Sequence, residues 1–196
     1  MGINIIDQNH EEALIEYKLP DFINEQKDMG DKPDDFEILQ VLGGGTFSKV
    51  LKVRSKKNSE IYAMKKICID DILVKYKERK YYLNEVRILQ QLGEHPNIVK
   101  CYKILEYEEG NKKYLYFIME YMNNADLDSF NEGNHSFKTL IPEEKLWEIF
   151  YKCLSGLNYI HEKGIIHRDI KPSNIFLDDD FNIKIGDFNI SAFIDE

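Results

Sequence analysis

Two stretches in the second half of the chain concentrate side chains that can move protons or bind cations. Residues 167–174 read HRDIKPSN and residues 184–189 read KIGDFN. Both stretches lie in polar loops between short apolar segments, where rigid neighbouring elements can position functional groups. A loop aspartate such as Asp169 or Asp187 commonly caps a turn. Eight consecutive residues that fit one pattern favour chemistry over turn capping, so we expect acid–base or metal chemistry here.

A glycine-rich turn, LGGGTFSKV, occurs earlier, between a predicted strand that ends at Leu42 and another that starts near Val50. At Gly43 and Gly45 the bare backbone would let amide groups approach a phosphate closely, which any side chain would obstruct. A glycine-rich hairpin is about as often only a turn, so that alternative stays open.

Lys65 lies in the β-patterned run AMKKI, and Glu85 follows twenty residues later in a helical pattern. A lone lysine on a strand is usually a solvated edge residue, and a helix glutamate is usually a surface charge. If the two residues instead face each other across a two-layer lobe, the carboxylate would hold the ammonium towards a nucleotide phosphate.

The hydrophobic spacing predicts the elements that must position these residues. FEILQVL, KVLKVRS and IYAMKKI predict three antiparallel strands. Helical spacing predicts a helix over 70–92, followed by strands near 98–105 and 114–119. Residues 142–163 predict a strongly amphipathic helix, with short strands beyond it.

The composition limits the classes of protein. The 196 residues are 43% hydrophobic and 31% charged, and a net charge of −9 comes without a basic stripe, so we expect no nucleic-acid partner. No apolar run reaches the roughly 18 residues of a membrane span, and the N-terminus lacks a basic secretory region. We therefore expect no membrane partner and a cytoplasmic location, with room for nuclear or cytoskeletal association. Cys68, Cys101 and Cys153 are expected to be buried reduced thiols.

In chain order, these residues resemble the protein-kinase signature: a glycine loop, a strand lysine, a helix glutamate, H-R-D-x-K-x-x-N and an aspartate–phenylalanine pair. The resemblance runs from Phe36 to about Ala192. Lys171 is similar to the form seen in serine/threonine kinases, and IPEEKLWEIF, IKPSNIFL and GDFN resemble the NIMA-related branch.

This resemblance implies an α+β, bilobal kinase fold with a five-stranded antiparallel N-lobe sheet and one helix. The expected divisions are an acidic extension at 1–33 and an incomplete kinase domain at 34–196. Within that domain, the N-lobe covers 34–119, the hinge 120–123 and the first part of a helical C-lobe 124–196.

The resemblance also implies transfer of the γ-phosphate of ATP to serine or threonine hydroxyls of protein substrates, with Mg²⁺. Asp169 would orient the attacking hydroxyl and accept its proton, while Lys171 would balance charge on the transferred group. Lys65, held by Glu85, would bind the α- and β-phosphates.

The family pattern assigns the remaining site residues to the metal and the nucleotide. Asn174 and Asp187 would ligate Mg²⁺, which prefers oxygen donors. The backbone amides of the glycine turn would cover the phosphates; they belong to Gly43, Gly44, Gly45, Thr46, Phe47 and Ser48, and Leu42 before them also lies in the expected nucleotide site. Val50 and Ala63 would form the roof over adenine, and Phe176 its floor. Glu120 and Met122 would supply hinge contacts behind the gatekeeper position Met119, and Asp126 could reach the ribose.

The sequence departs from the family pattern at three places. Ser48 replaces the third glycine of the loop, and Asn189 replaces the glycine after the aspartate–phenylalanine pair. Asparagine tolerates positive φ well, so we expect a left-handed turn at Asn189. The chain ends at Glu196 before the activation segment that Arg168 normally meets, so we expect Arg168 to have no evident partner. We also expect an uncovered face on the 142–163 helix that recruits a partner or a second copy.

These departures leave a second function open. The chain could be a non-catalytic nucleotide-binding or regulatory protein that uses an incomplete kinase fold to dock on other proteins. An unrelated phosphotransferase with a similar cleft is disfavoured by the loop HRDIKPSN.

Overall fold

The first half of the described chain forms a five-stranded antiparallel sheet. The computed structural model describes residues 28–46, 48–76, 80–123, 126–130, 142–178 and 180–194. The sheet order is β1-β2-β3-β5-β4, which confirms the predicted sheet. Its strands are β1 (Phe36–Gly44), β2 (Ser48–Ser55), β3 (Ile61–Cys68), β4 (Cys101–Glu109) and β5 (Lys112–Glu120).

Two helical segments follow β3, where the sequence predicts one helix over 70–92. They are α1 (Ile69–Tyr76) and α2 (Lys80–Leu92), and residues 77–79 between them lie outside the described residues. The second segment ends immediately before Gly93, whose φ of 62° is the left-handed value at which helices commonly terminate.

Alternation along the strands gives the sheet two different faces. On the inner face, apolar residues of α2 such as Val86 and Leu89 pack in one cluster with Phe117 of β5. The outer face has its own buried cluster, which consists of Met29, Phe36, Leu51, Val53, Tyr62, Met64, Tyr116 and Ile118. Side chains along a strand alternate between the two faces. Lys65 follows Met64 of the outer cluster, so its side chain lies on the inner face.

A short N-terminal segment, residues 28–35, lies against the outer face of the sheet. Met29 is only 5% exposed, and the hydroxyl of Ser55 donates a buried 2.8 Å hydrogen bond to the Met29 carbonyl. The ammonium of Lys57 lies 2.9 Å from the Asp28 carboxylate and 3.1 Å from that of Asp31. The last part of the acidic stretch is therefore packed against the sheet. Residues 1–27 lie outside the described residues.

In the described part of the second half, the chain forms one long helix and two small antiparallel ribbons. The helix is α3 (Glu143–Glu162), close to the predicted bounds of 142–163. One ribbon pairs β6 (Ile165–Ile166) with β9 (Ala192–Phe193), and the other pairs β7 (Ile175–Leu177) with β8 (Ile183–Ile185). The α+β kinase-like fold expected from the sequence is confirmed.

Backbone hydrogen bonds between Asn97, Val99 and β8 join the two halves. The amide of Ile185 donates to the carbonyl of Asn97, and the amide of Val99 donates to the carbonyl of Ile185, both at 2.9 Å. The Asn97 side chain donates to the Ile183 carbonyl at 3.1 Å. These bonds fix the strand that leads directly into Gly186 and Asp187.

One side of α3 exposes large apolar residues. Tyr151 is 74% exposed, and four others are about half exposed: Leu146, Trp147, Phe150 and Leu154. The uncovered apolar face expected on this helix is therefore present. None of the described helices is long and apolar enough to cross a membrane.

All three cysteines are free thiols. Cys68 and Cys101 are buried, as the sequence predicts, whereas Cys153 is only half-buried. Burial raises the pKa of the Cys101 thiol to about 12, so this thiol stays protonated at neutral pH.

Candidate active site

Lys65 and Glu85 form a buried ion pair between β3 and α2. The Lys65 Nζ lies 2.6 Å from Glu85 Oε1, and each side chain is only 6% exposed. A buried pair offsets its desolvation cost only when further hydrogen bonds satisfy its charges. The ammonium has two further acceptors, Asp187 Oδ1 at 3.4 Å and the side-chain oxygen of Asn189. The solvated-edge interpretation of Lys65 is therefore excluded.

The strand register places the proposed adenine roof on the same face as Lys65. Val50 lies directly opposite Lys65 in the β2–β3 ladder, and Ala63 lies opposite Met119 in the β3–β5 ladder. Directly opposed residues in antiparallel strands project to the same face of a sheet. The three residues and the ammonium consequently line one surface of the sheet.

Asp169 is held by two side chains of its own loop. The Lys171 Nζ lies 2.9 Å from Asp169 Oδ2, and the Asn174 amide donates to the same oxygen at 2.9 Å. The hydrogen bond from Lys171 is the main cause that lowers the pKa of the Asp169 carboxyl. The carboxylate is therefore ionised at neutral pH, as an acceptor of a hydroxyl proton must be.

His167 connects the expected catalytic loop, residues 167–174, to the segment after β8 that contains Gly186 and Asp187. Its ring is buried, with Nε2 3.0 Å from the Gly186 carbonyl and Nδ1 3.3 Å from the Asp169 amide. Burial lowers the pKa of His167, which favours the neutral ring. The neutral tautomer with a proton on Nε2 satisfies both contacts, because Nε2–H then donates and Nδ1 accepts.

Gly186 is required by close packing beside Asp187. A Cβ at this position would lie 2.9 Å from the ring of Phe176 and 3.0 Å from Val99 Cγ2, so any side chain would force these neighbours to shift. The Gly186 amide donates to the Asn174 carbonyl at 3.0 Å. The two residues expected to bind Mg²⁺, Asn174 and Asp187, are thus brought together by this contact.

The left-handed turn expected at Asn189 lies elsewhere, so that prediction is wrong. Among the described non-glycine residues, φ is positive at Ser59, Arg168, Phe181 and Asp187, and Asn189 is not in this group. Asp187 has φ of 61°, so the chain turns two residues earlier than expected. Asn189 uses its polar side chain instead, as an acceptor for Lys65.

Arg168 has partners, contrary to the expectation from the sequence. Its guanidinium donates to the carbonyls of Ile190 and, at 3.4 Å, Ser191. The Ser191 hydroxyl donates to the His167 carbonyl at 2.9 Å, and the Asn84 side chain of α2 donates to the Ser191 carbonyl at 2.6 Å. The backbone carbonyls of Ile190 and Ser191 are therefore the acceptors of the arginine.

The glycine turn depends most on Gly44, although the sequence favours Gly43 and Gly45. A Cβ on Gly44 would lie 2.7 Å from the Ser48 carbonyl oxygen, whereas Gly43 has open space around it. The Gly45 amide donates to the Ser48 carbonyl at 2.9 Å and closes the turn. Leu42 and Thr46 flank the turn and are exposed. Phe47 lies outside the described residues.

The proposed hinge residues lie at the end of β5 and just beyond it. The Glu120 carboxylate lies 2.9 Å from Lys184 Nζ, and its amide donates to the Lys100 carbonyl at 2.9 Å. Met122 is buried. Asp126 pairs through a β-bridge with Phe176, the proposed adenine floor.

The Asp126 carboxylate also caps a turn. It accepts from the amides of Asp128 and Ser129 at 3.0 and 2.9 Å, and from the Ser129 hydroxyl at 2.8 Å. The ribose contact expected of this carboxylate stays a prediction.

The donor set fits a magnesium ion. The Asn174 side-chain amide nitrogen donates to both the carboxylate and the carbonyl of Asp169, at 2.9 and 2.8 Å. This leaves the amide oxygen of Asn174 and the second carboxylate oxygen of Asp187 as hard oxygen donors, the type that Mg²⁺ prefers. The described residues contain no cluster of three or more His, Cys, Asp and Glu side chains.

Comparison with known families agrees with this geometry. The family model described as "Protein kinase domain" matches residues 36–196. The chain belongs to the protein kinase family. The family match agrees with the kinase signature in the sequence.

Curated relatives of this protein kinase are serine/threonine kinases by name. The chain is 37% identical to the probable serine/threonine-protein kinase nek2 of Dictyostelium discoideum, covering 83% of this chain and 38% of the relative. It is 33% identical to CBL-interacting serine/threonine-protein kinase 2 of Arabidopsis thaliana, covering 82% and 33%. The chain thus spans about a third of these relatives' length. The first match confirms the resemblance to NIMA-related kinases.

Several contacts of this kinase site were not predicted from the sequence. His167, Asn84 and Ser191 received no role, although they tie the catalytic loop to α2 and to the strand before Asp187. The signal for His167 was present in the H-R-D motif. Asn84 and Ser191 carry no sequence signal, because their partners are backbone atoms far along the chain.

Proposed function

We propose that this chain is the nucleotide-binding and catalytic portion of a serine/threonine protein kinase that phosphorylates proteins with ATP and Mg²⁺. The observation that carries the proposal is the buried Lys65–Glu85 pair, whose ammonium also reaches Asp187. A structural ion pair needs no third acidic partner from a distant loop. A phosphate site needs a fixed cation beside a metal-binding carboxylate.

Different residues of the chain bind the phosphates and the metal ion during phosphoryl transfer. Lys65, fixed by Glu85, binds the α- and β-phosphates, and the glycine turn offers backbone amides above them. Asn174 and Asp187 supply oxygen ligands, and Mg²⁺ when bound neutralises negative charge on the phosphate oxygens. This transfer depends on positioning and charge neutralisation more than on covalent help from the protein.

Asp169 orients the hydroxyl of the protein substrate and accepts its proton. Its Oδ2 is engaged by Lys171 and Asn174, so the other oxygen is the one offered to the hydroxyl. Lys171 is half-exposed and can move its charge towards the transferred phosphoryl group. Lys171 thereby stabilises both the ionised carboxylate and the developing charge of the reaction.

A second function is favoured by the exposed apolar side of α3. A non-catalytic, nucleotide-binding regulatory protein would use such a surface to dock on another protein or on a second copy. A protein with this second function would bind the nucleotide without transferring its phosphate. Measuring nucleotide binding and phosphate transfer on the same protein therefore separates the two functions.

The test is calorimetric titration of ATP with Mg²⁺ into the wild-type chain, Lys65→Met and Lys66→Met. Lys66 is the matched control, because it is the neighbouring strand lysine and pairs with Glu109 instead of Glu85. We expect Lys65→Met to weaken binding strongly and Lys66→Met to leave it unchanged. Equal affinity for ATP in all three proteins would refute the assignment of Lys65 to the phosphate-binding site.

Transfer is then measured with γ-labelled ATP and a generic substrate protein rich in serine and threonine. Label on the substrate supports the kinase proposal, provided that Asp169→Asn abolishes it. Nucleotide binding without any transfer supports the regulatory alternative.

A further inference from the structure

Side chains of the protein itself accept hydrogen bonds from the Lys65 ammonium at all three of its donor positions. An ammonium group has three N–H donors. The structure provides three acceptors, one each from Glu85, Asp187 and Asn189. A phosphate oxygen that takes a hydrogen bond from Lys65 must therefore displace one of these acceptors.

The three acceptors differ in how readily they can leave. Glu85 is buried and charged, and a buried carboxylate without its partner is strongly destabilising. Asp187 is a charged residue that the proposed Mg²⁺ site uses. Asn189 is neutral and exposed, so water can solvate its amide as soon as it leaves Lys65.

We propose that Asn189 is a positioning residue that holds, in the nucleotide-free protein, the Lys65 donor that a nucleotide phosphate later takes. This inference rests on the proposed function, because it assumes that Lys65 binds a phosphate. Asn189 thus keeps the ammonium in place and at the same time competes with the ligand. A glycine at this position has no side chain to compete.

The backbone beside Asn189 limits the movement to its side chain. Ser191 is fully buried, and its carbonyl accepts from both Asn84 and Arg168. The Ile190 carbonyl is also held by Arg168. Release of Lys65 therefore needs a rotation of the Asn189 side chain and leaves the rest of the turn anchored.

The expected effect on affinity follows from the lost competition. A hydrogen bond to a charged group is worth about one to two orders of magnitude in an equilibrium constant. Because Asn189 is exposed and water takes over part of its role, we expect the lower end, a gain of about ten-fold in nucleotide affinity for Asn189→Ala.

The experiment measures the affinity of the full chain for ADP with Mg²⁺ by calorimetry. The variants are Asn189→Ala, Asn189→Asp, Lys65→Met and the double variant Lys65→Met/Asn189→Ala. Asn158→Ala is the matched control, because Asn158 is an exposed asparagine whose side chain donates to Glu162, one turn further along α3. Thermal unfolding of each variant shows that it folds.

The inference predicts tighter binding in Asn189→Ala, weaker binding in Asn189→Asp and no change in Asn158→Ala. A merely structural role of Asn189 would change affinity whether or not Lys65 is present. We expect instead that the gain from Asn189→Ala disappears in the Lys65→Met background, because the competition acts through that ammonium.

The outcomes separate this inference from the proposed function. Unchanged or weaker binding in Asn189→Ala, with wild-type binding that depends on Lys65, overturns the inference alone. No binding by either wild type or Asn189→Ala overturns both. Binding by Asn189→Ala but not by wild type supports the inference, since the asparagine would then block the site.

Discussion

Replacing Glu85 by alanine should destabilise the fold far more than replacing an exposed glutamate. Removal of one partner from a buried ion pair costs about 3–5 kcal/mol of unfolding free energy, because the remaining charge is left without its partner. Here Lys65 keeps two other acceptors, Asp187 and Asn189. We therefore expect the lower end of that range, about 3 kcal/mol, a large share of the about 5–15 kcal/mol that stabilises an ordinary domain.

The control for this prediction is Glu148→Ala. Glu148 pairs with Lys145 and Lys152 on the surface of α3, and its side chain is 49% exposed. Exposed pairs contribute about 0–1 kcal/mol. The assay is urea unfolding at neutral pH, with the free energy extrapolated to water. Equal losses in Glu85→Ala and Glu148→Ala would show that the Lys65–Glu85 pair is not buried in solution, and the reasoning would fail.

Three further predictions concern packing and pH. Met29→Ala should lower the free energy of unfolding by about 2–5 kcal/mol in the same assay, because Met29 is buried. Ile38→Ala on β1 should lower it little, because Ile38 is exposed. Equal effects would mean that residues 28–35 do not pack on the sheet. Gly186→Ala should lower the free energy of unfolding by about 1–3 kcal/mol through overpacking against Phe176, whereas Gly43→Ala should have no effect because the space around Gly43 is open. If neither variant changed the stability, the close packing of Phe176 against Gly186 would be contradicted. Burial lowers the pKa of His167 in the folded protein, so below about pH 6.5 the unfolded chain binds a proton at this residue more readily than the folded chain does. The free energy of unfolding should therefore fall as the pH drops towards 5, and it should fall less in His167→Phe. Identical pH profiles of the two proteins would contradict the buried neutral ring.

The sheet and the signature residues could be predicted because their signals are local. Residues 50–53 alternate in burial, which sets the two faces of β2. Lys65 and Glu85 lie on separate elements, β3 and α2, but both belong to the kinase signature, which predicts that they form a pair. Gly186 precedes the aspartate of the signature, although the packing that forbids a side chain there comes from Phe176 and Val99.

Other features depended on contacts that no local pattern contains. Asn189 reaches Lys65 across 124 positions of sequence, so its role as an acceptor required the folded chain. Met29 is a single apolar residue in a polar stretch, without the periodicity that marks a core element. Arg168 is satisfied by two backbone carbonyls, and backbone acceptors exist at every position, so the sequence could not single these out.

The central claim is that Lys65 and Asp187 serve one phosphate- and metal-binding site. It is tested most directly by measuring ATP affinity with and without Mg²⁺ for wild type, Asp187→Asn and the control Asp178→Asn, whose residue caps the turn between β7 and β8. We expect Mg²⁺ to strengthen ATP binding by wild type and by Asp178→Asn, and we expect Asp187→Asn to lose most of this dependence. The same dependence on Mg²⁺ in all three proteins would contradict the central claim.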